Sequence, residues 1–267
     1  FLIDPTKIEE KITGRTTAIL PVHIYGLPVD MDKVNAVAKK HDLKVIEDAC
    51  QAWLGEYKGK KLGTLGDLGC FSFQNSKDIT CGEGGMIVSD DQSLLDHCRR
   101  ARNHGRDGGG ADFAGERPGH NFRLSELQAA LGLSQLERLA ARVEARARLA
   151  GAYDARLADL PGVRIPAPVA DGDQAAWFVY VVRIEGGGAR RDRIREALAR
   201  DGIATGHYFP AIHRLPPYRA VGSCRRGPLP VTERVADEVL ALPFFPGLTD
   251  GDVDRVSQRL AAALASS

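Results

Sequence analysis

The chain has 267 residues, 36 basic and 35 acidic side chains, a net charge of +1 and 43% hydrophobic residues. That balance excludes nucleic-acid binding through bulk charge, and no apolar stretch approaches the ~20 residues a transmembrane helix needs. The length suffices for one large or two modest cores. Residues 17–22 are predicted as a strand. Residues 31–41 carry helical apolar spacing at Val34, Val37 and Ala38, and residues 43–47 read as a short buried strand running into Glu47 and Asp48. Residues 70–73 and 86–88 are two further strands, and residues 91–103 a helix. Short apolar strands between helices argue for an α/β fold with a mostly parallel sheet covered on both faces. The glycine-rich run 105–119, with Gly108–Gly110 at its centre, is expected to be a mobile surface segment. A helical stretch follows over 125–157, with a break expected near Ala150-Gly151. Its Arg-rich part mixes Glu137, Glu144 and Asp154 among the arginines, as a solvated helix face does. Pro161, Pro166 and Pro168 mark a change of domain. Beyond them come a strand (176–184), a helix (189–200), a strand (203–208) and two helices (232–240 and 250–264).

Lys77 is the most informative residue. It sits in a polar turn between two segments that read as buried strands, and lysine is almost never buried without a partner. A lysine so held can form a Schiff base with a carbonyl; the plainer reading is a solvated turn lysine beside a hairpin. Asp48 ends a strand of an α/β sheet, where ligands bind in such folds. An aspartate there can ligate a metal, hold a ribose, cap structure, or pair with the pyridine nitrogen of pyridoxal phosphate (PLP). Lys77 follows 29 positions later, and Gln51 lies three residues beyond Asp48. Gly63-x-x-Gly66-x-x-Gly69 precedes a strand and opens no helix, so it is not a dinucleotide fingerprint. No Gly-Lys-Ser/Thr occurs. His97, His104 and His120 lack metal-ligand spacing, and no metal is expected. The cysteines at 50, 70, 81, 98 and 224 are odd in number and form no Cys-x-x-Cys pair, which fits a reducing cytoplasm.

Several segments resemble the sugar aminotransferases of the DegT/StrS group in the same order. They are Glu47-Asp48-Ala49-Cys50-Gln51-Ala52, Gly63-Thr64-Leu65-Gly66-Asp67-Leu68-Gly69-Cys70-Phe71-Ser72-Phe73, Lys77 with Gly82-Glu83-Gly84-Gly85, and His120-Asn121-Phe122-Arg123-Leu124-Ser125-Glu126-Leu127-Gln128. The likeness returns at Gly206-His207-Tyr208-Phe209-Pro210-Ala211-Ile212-His213 and at Leu229-Pro230-Val231-Thr232-Glu233-Arg234. The resemblance implies a three-layer α/β/α, fold-type I, PLP-dependent aminotransferase. Residues 1–145 would be the C-terminal part of the PLP-binding large domain, and residues 146–267 a small α/β domain. It also implies a preceding block on the order of 100 residues, holding a phosphate-binding turn and a ring-stacking aromatic, so that the chain would be a fragment, inactive alone.

By the same resemblance Lys77 forms the Schiff base with PLP, and Asp48 holds the pyridinium proton. Gln51 meets the phenolic oxygen, and Ser72 binds the cofactor phosphate. Asn121 reaches the phosphate of a partner subunit's cofactor, which implies a homodimer with shared sites. The amino donor would be glutamate or glutamine, and the acceptor a keto sugar or keto cyclitol facing His207, Tyr208 and His213. Arg123, His207, His213 and Arg214 could supply positive charge for a phosphorylated or nucleotide-linked sugar. Lysine at position 77 favours transamination over the family's dehydratases, which carry histidine there. Gly82-Glu83-Gly84-Gly85 is expected to let the backbone pass close to Lys77. With Gln74-Asn75-Ser76 it looks closer to the branch acting on cyclitol ketones or aminated aromatic precursors. Trp53 stands near a position where a smaller or more polar residue is expected, which would alter the pocket. The competing reading is a non-catalytic protein of the PLP fold, serving as sensor or assembly partner.

Overall fold

A computed structural model describes residues 1–106, 117–220 and 228–267. Gly108–Gly110 and Cys224 lie outside the described residues. The chain divides into two compact units, one of residues 2–143 and 169–178, the other of residue 1, residues 144–168 and residues 179–267.

In the first unit β1 (Ala18–Ile19) runs parallel to β2 (Lys44–Asp48), and β2 parallel to β5 (Leu68–Ser72). β6 (Gly85–Val88) closes the four-stranded sheet antiparallel to β5, with Ser72 opposite Gly85. Helix α1 (Met31–Lys40) starts at Asp30, whose carboxylate accepts the N–H of Lys33, one of the helix's otherwise orphaned donors. Met31, Val34 and Ala38 share its inner face and pack with Val45, Ala49 and Leu62. Between β2 and β5 lies a small hairpin, β3 (Glu56–Tyr57) and β4 (Lys60–Lys61), which the sequence pattern does not announce. Its Lys58-Gly59 turn takes positive φ at both residues, as the type I′ two-residue hairpin loop requires. Helix α2 (Gln92–Arg102) is capped by Asp91, and α3 (Glu126–Leu136) by a reciprocal Ser125–Gln128 capping box.

The next helix, α4 (Leu139–Leu157), is continuous through Ala150-Gly151. The interruption falls instead at Glu137-Arg138, where Arg142 reaches back to Gln135 and to the carbonyl of Asp78. A Cβ added at Gly151 would meet nothing within 4 Å; an open helical glycine costs about 1 kcal/mol against alanine without breaking the helix.

The second unit is built on an antiparallel sheet of β7 (Val163–Arg164), β8 (Tyr180–Ile184) and β9 (Val239–Leu242). Helices α5 (Gly188–Arg200) and α8 (Asp250–Ala265) bury Ile194, Leu198, Val256 and Leu260. The shorter α6 (Pro216–Ala220) and α7 (Pro230–Glu238) complete it. Three expectations change here. The strand expected at 176–184 begins only at Tyr180, because Trp177 takes φ 53° and the N–H groups of Ala176 and Phe178 bond to the carbonyls of Gly26 and Tyr25. Residues 203–208 contribute one bridge, Gly206 to Ala241, instead of a strand. The helix expected to 240 ends at Glu238, and the fully buried run Val239–Leu242 pairs with β8 as β9; a short apolar run has no periodicity to tell helix from strand. No helix among the described residues is long and apolar enough to cross a membrane.

Candidate active site

The loop between β5 and β6 is clamped at its base. The carbonyl of Phe73 accepts the N–H of Cys81 and the hydroxyl of Thr80, and the N–H of Phe73 donates to the carbonyl of Gly84. Within the loop the N–H of Lys77 donates to the carbonyl of Gln74. Asp78 and Ile79 turn inward and are buried, Ile79 in a core with Trp53, Phe73, Cys81, Leu139 and Val143. Lys77 itself stays half-buried. Its Nζ lies 4.8 Å from the centre of the Phe178 ring, whose face attracts a cation.

Asp48 ends β2 opposite Cys70. Its Oδ1 accepts the N–H of Cys50 at 3.0 Å. Burial, reinforced by the hydrogen bond and charge of Asp48, pushes the Cys50 thiol up to about 12, against the opposing charge of Lys77. Asp48 and Ser72 close the neighbouring parallel strands β2 and β5, and Lys77 follows in the loop after β5, so all three lie beyond or at the carboxyl ends of these strands. Gln51 accepts the N–H of Tyr25 through Oε1 at 2.7 Å. That bond fixes which end of the amide is oxygen and leaves the NH2 as the donor. Gly26, next to Tyr25, has φ +84°, and a Cβ there would meet the Trp177 nitrogen at 2.7 Å and the Gln51 carbonyl oxygen at 2.8 Å.

Directly before Asp48, Glu47 points to the opposite face of β2, as strand alternation demands. It is buried with His23; both side chains are 0% exposed. Its carboxylate accepts His23 Nε2–H at 2.9 Å and the N–H groups of Gly63, Leu65 and Gly66 at 2.8, 2.5 and 2.6 Å. Burial works against its ionisation, yet these bonds outweigh it and hold the carboxyl below its ordinary range. His23 Nδ1 accepts the N–H of Val29 at 3.1 Å, so the ring carries its proton on Nε2. From sequence, Glu47 stands out only as one of two acids ending a strand, and His23, Tyr25 and Phe178 do not stand out at all. A charged residue alternating with Val45 on the buried face is the available signal.

The other expected residues fall as follows. Ser72 ends β5, and its Oγ accepts the N–H of Gln74 at 3.3 Å, leaving the hydroxyl proton to donate elsewhere. Trp53 is buried, stacks on Phe73 at 5.4 Å, packs against Phe71 at 4.5 Å and donates Nε1–H to the carbonyl of Ser72, so it buttresses the end of β5. Cβ atoms added at Gly84 and Gly85 would meet Cys81 Sγ, Leu124 and the Phe71 carbonyl, and Gly82 faces open space. This corrects the expectation that the cluster passes close to Lys77: its close approaches are to Phe71, Cys81 and Leu124, across β5 and the segment leading into α3. Asn121 bridges Asn103 and accepts Arg123 Nε–H at 2.9 Å. Beside it Asp96, Arg99, Arg100, Arg102, Asn103 and Arg123 surround a cavity of about 640 Å³, which none of Asp48, Gln51, Ser72 or Lys77 lines. In the second unit His207 Nε2–H donates to the Ala236 carbonyl, Tyr208 packs on Phe209, and His213 and Arg214 both bind Glu233. The His213 and Arg214 bonds hold the Glu233 carboxyl below its ordinary range.

The DegT/DnrJ/EryC1/StrS aminotransferase profile matches residues 1–261. The chain belongs to that family. It is therefore a PLP-dependent aminotransferase of the fold-type I class. It is 41% identical over 258 residues to GDP-perosamine synthase of Caulobacter vibrioides, covering 96% of this chain and 68% of that protein. Among solved structures, Helicobacter pylori PseC, an aminotransferase of pseudoaminic acid biosynthesis, superposes with a TM-score of 0.92 at 29% identity, over 100% of this chain and 71% of that one. 3-Amino-5-hydroxybenzoic acid synthase gives 0.94 at 25% identity, over 100% and 72%.

The donor set suits this family's cofactor. A pyridine ring bearing an aldehyde, a phenolic oxygen and a phosphate asks for an acceptor at its nitrogen, a donor at the phenolic oxygen, an amine and a hydroxyl. Asp48 offers an acceptor-only carboxylate, Gln51 an amide whose oxygen is already engaged, Lys77 an amine and Ser72 a hydroxyl.

Proposed function

We propose that this aminotransferase moves an amino group from glutamate or glutamine to the ketone of a nucleotide-linked sugar, with Lys77 as the residue that binds PLP covalently. What carries the reading is the set of contacts beside the end of β2: the Tyr25 N–H holds Gln51 Oε1, the Tyr25 carbonyl accepts the N–H of Phe178, and the Phe178 ring lies 4.8 Å from Lys77 Nζ, so the amine suited to an aldehyde stands with the amide suited to a phenolic oxygen, three residues from Asp48. A sugar acceptor is favoured by the 41% identity to GDP-perosamine synthase.

PLP, when bound, supplies the electron sink that makes the donor's α-hydrogen acidic. Lys77 Nζ would hold the aldehyde carbon covalently and, once freed by the incoming donor, would take that proton and return it, as base and then acid. The Asp48 carboxylate keeps the ring nitrogen protonated. The Gln51 NH2 donates to the phenolic oxygen, and the Ser72 hydroxyl to the phosphate. The Asn121 amide would serve the cofactor phosphate of a second copy, making the enzyme a homodimer. His207, Tyr208 and His213 would face the acceptor. A cytoplasmic setting agrees with Cys50, Cys70, Cys81 and Cys98 standing as free thiols.

The test loads the protein as its pyridoxamine form and mixes it with nucleotide-linked keto sugars, keto cyclitols and simple 2-oxo acids, following the return of the aldehyde-form absorbance. Keto sugars should restore it. If only simple 2-oxo acids do, the sugar assignment fails. Borohydride should fix the cofactor on a peptide containing Lys77, and a different lysine there overturns the residue assignment.

A further inference from the structure

Three groups of the site hang on one turn. Residues 23–29 form it, and its outward backbone groups are engaged by the site: the Tyr25 N–H holds Gln51 Oε1, and the Tyr25 carbonyl accepts the N–H of Phe178, whose ring lies under Lys77 Nζ. The Gly26 carbonyl accepts the N–H of Ala176 and keeps that segment in place. His23 opens the turn and donates its own N–H to the carbonyl of Asp48. Its ring then spans the interior. Nδ1 takes the N–H of Val29 at the turn's far end, and Nε2–H takes the Glu47 carboxylate, which also gathers the 63–66 loop. Tyr25 sits at φ 60°, a left-handed conformation that a non-glycine residue keeps only when its surroundings over-determine it.

We propose that the buried Glu47–His23 pair is a positioning device for the cofactor site, holding the 23–29 turn so that Gln51 and Phe178 are presented to the cofactor and to Lys77. Neither residue touches the cofactor. The pair acts through the turn, and the proposal rests on the PLP reading above. A core that merely needed filling would not use a carboxylate. Burying one is costly, and the four bonds that compensate it go to two separate segments, one to His23 and three to the 63–66 loop, which fixes both relative to β2. Strand alternation supplies the rest: with Glu47 anchored inward, Asp48 and its loop face the other way.

The test uses the two lengths of amide side chain. In His23→Gln the amide NH2 lies near the place of Nε2 and can still donate to Glu47. In His23→Asn the side chain can accept from Val29 but falls short of Glu47. Apoprotein of each is titrated with PLP, following the visible absorbance band and the cofactor fixed on Lys77 by borohydride, and urea midpoints are recorded separately. His23→Asn should weaken PLP binding about tenfold, the size of one well-made hydrogen bond lost, and move the band, while His23→Gln stays within about threefold of the parent. The deciding measurement is a double-mutant cycle with Gln51→Leu: in that background His23→Asn should add clearly less than its about tenfold effect in the parent, because part of that effect runs through Gln51. Equal losses from the two amides, parental affinity in His23→Asn, or additive losses in the cycle would each overturn the proposal. Should His23→Asn not fold, Glu47→Gln replaces it in the same cycle with the same expectation. A parent that fixes no PLP on Lys77 sinks the functional reading and this one with it; a parent that binds normally while the variants do not differ sinks this one alone.

Discussion

Gly26→Ala should damage this protein far more than its size suggests. At φ +84° an alanine is in the left-handed region, which costs an L-residue about 1–2 kcal/mol, partly offset by about 0.4–1 kcal/mol of lost unfolded-chain freedom. The added Cβ would also lie 2.7 Å from the Trp177 nitrogen, 2.8 Å from the Gln51 carbonyl oxygen and 3.1 Å from the Ala176 carbonyl carbon. All three are backbone atoms, so no rotamer change relieves them. The turn must move away, and the bonds from Tyr25 N–H to Gln51 and from Ala176 N–H to Gly26 stretch or break, at about 0.5–1.5 kcal/mol each. The sum is a destabilisation of about 2–4 kcal/mol. Gly59→Ala is the internal control. Its φ is +75° but nothing lies within 4 Å of its Cβ, so it carries only the conformational part, about 1 kcal/mol. Urea unfolding of both variants and the parent gives the two costs, and PLP titration shows whether Gln51 has shifted. If Gly26→Ala proves no costlier than Gly59→Ala, the close approach of the three segments is not what makes this position glycine.

Lys77→Ala should abolish borohydride fixing of PLP and lower kcat by about 10²–10⁴ or more, since it removes both the covalent partner and the proton carrier; turnover near the parental rate would refute the role. With the Cys50 thiol at about 12, alkylation at pH 8 should be slow, with a thiolate fraction of about 10⁻⁴. Asp48→Asn should speed it and Lys77→Ala slow it further, as read by mass spectrometry of the Cys50 peptide, and identical rates in both variants would show that the charges do not reach the thiol. Because Glu47 titrates below its ordinary range in the folded state, its contribution to stability is complete above about pH 4.5 and is lost as the pH falls through the folded value. Glu47→Gln should therefore flatten the acid limb of the stability curve below about pH 5, and an unchanged slope would argue that another carboxylate controls it.

The elements legible from sequence are those with a strong period or a short apolar run ending at chemistry: α1 with Val34 and Ala38 one turn apart, and β2 and β5. The segments that go astray depend on distant partners. Residues 176–179 have the composition of a strand, yet the N–H groups of Ala176 and Phe178 are taken by the carbonyls of Gly26 and Tyr25, which only the fold reveals. Val239–Leu242 reads equally well as helix or strand, and pairing with β8 decides it. The β3–β4 hairpin is two residues a side, too short to show alternation. Of the residues proposed for the site, Asp48, Gln51, Ser72 and Lys77 are singled out by resemblance because they are polar residues in an ordered motif. Phe178 is not, since an aromatic residue between two apolar ones says nothing of the lysine it lies under.

The two acids at the end of β2 make the deeper point about how this sequence encodes its site. Glu47 and Asp48 have the same charge and differ by one methylene, yet the strand sends them to opposite faces. One becomes a buried anchor that accepts four hydrogen bonds, and the other remains at the strand end, where it accepts one N–H and meets Cys50. Their roles follow from register, which the buried Val45 sets two residues before Glu47. The longer side chain is on the inward face, where it must span His23 and the 63–66 loop together. The shorter one is at the site, close to the backbone that orients it. A carboxylate in the role proposed for Asp48 needs a rigid backbone under it, and here the neighbouring residue supplies that rigidity from the other side of the sheet.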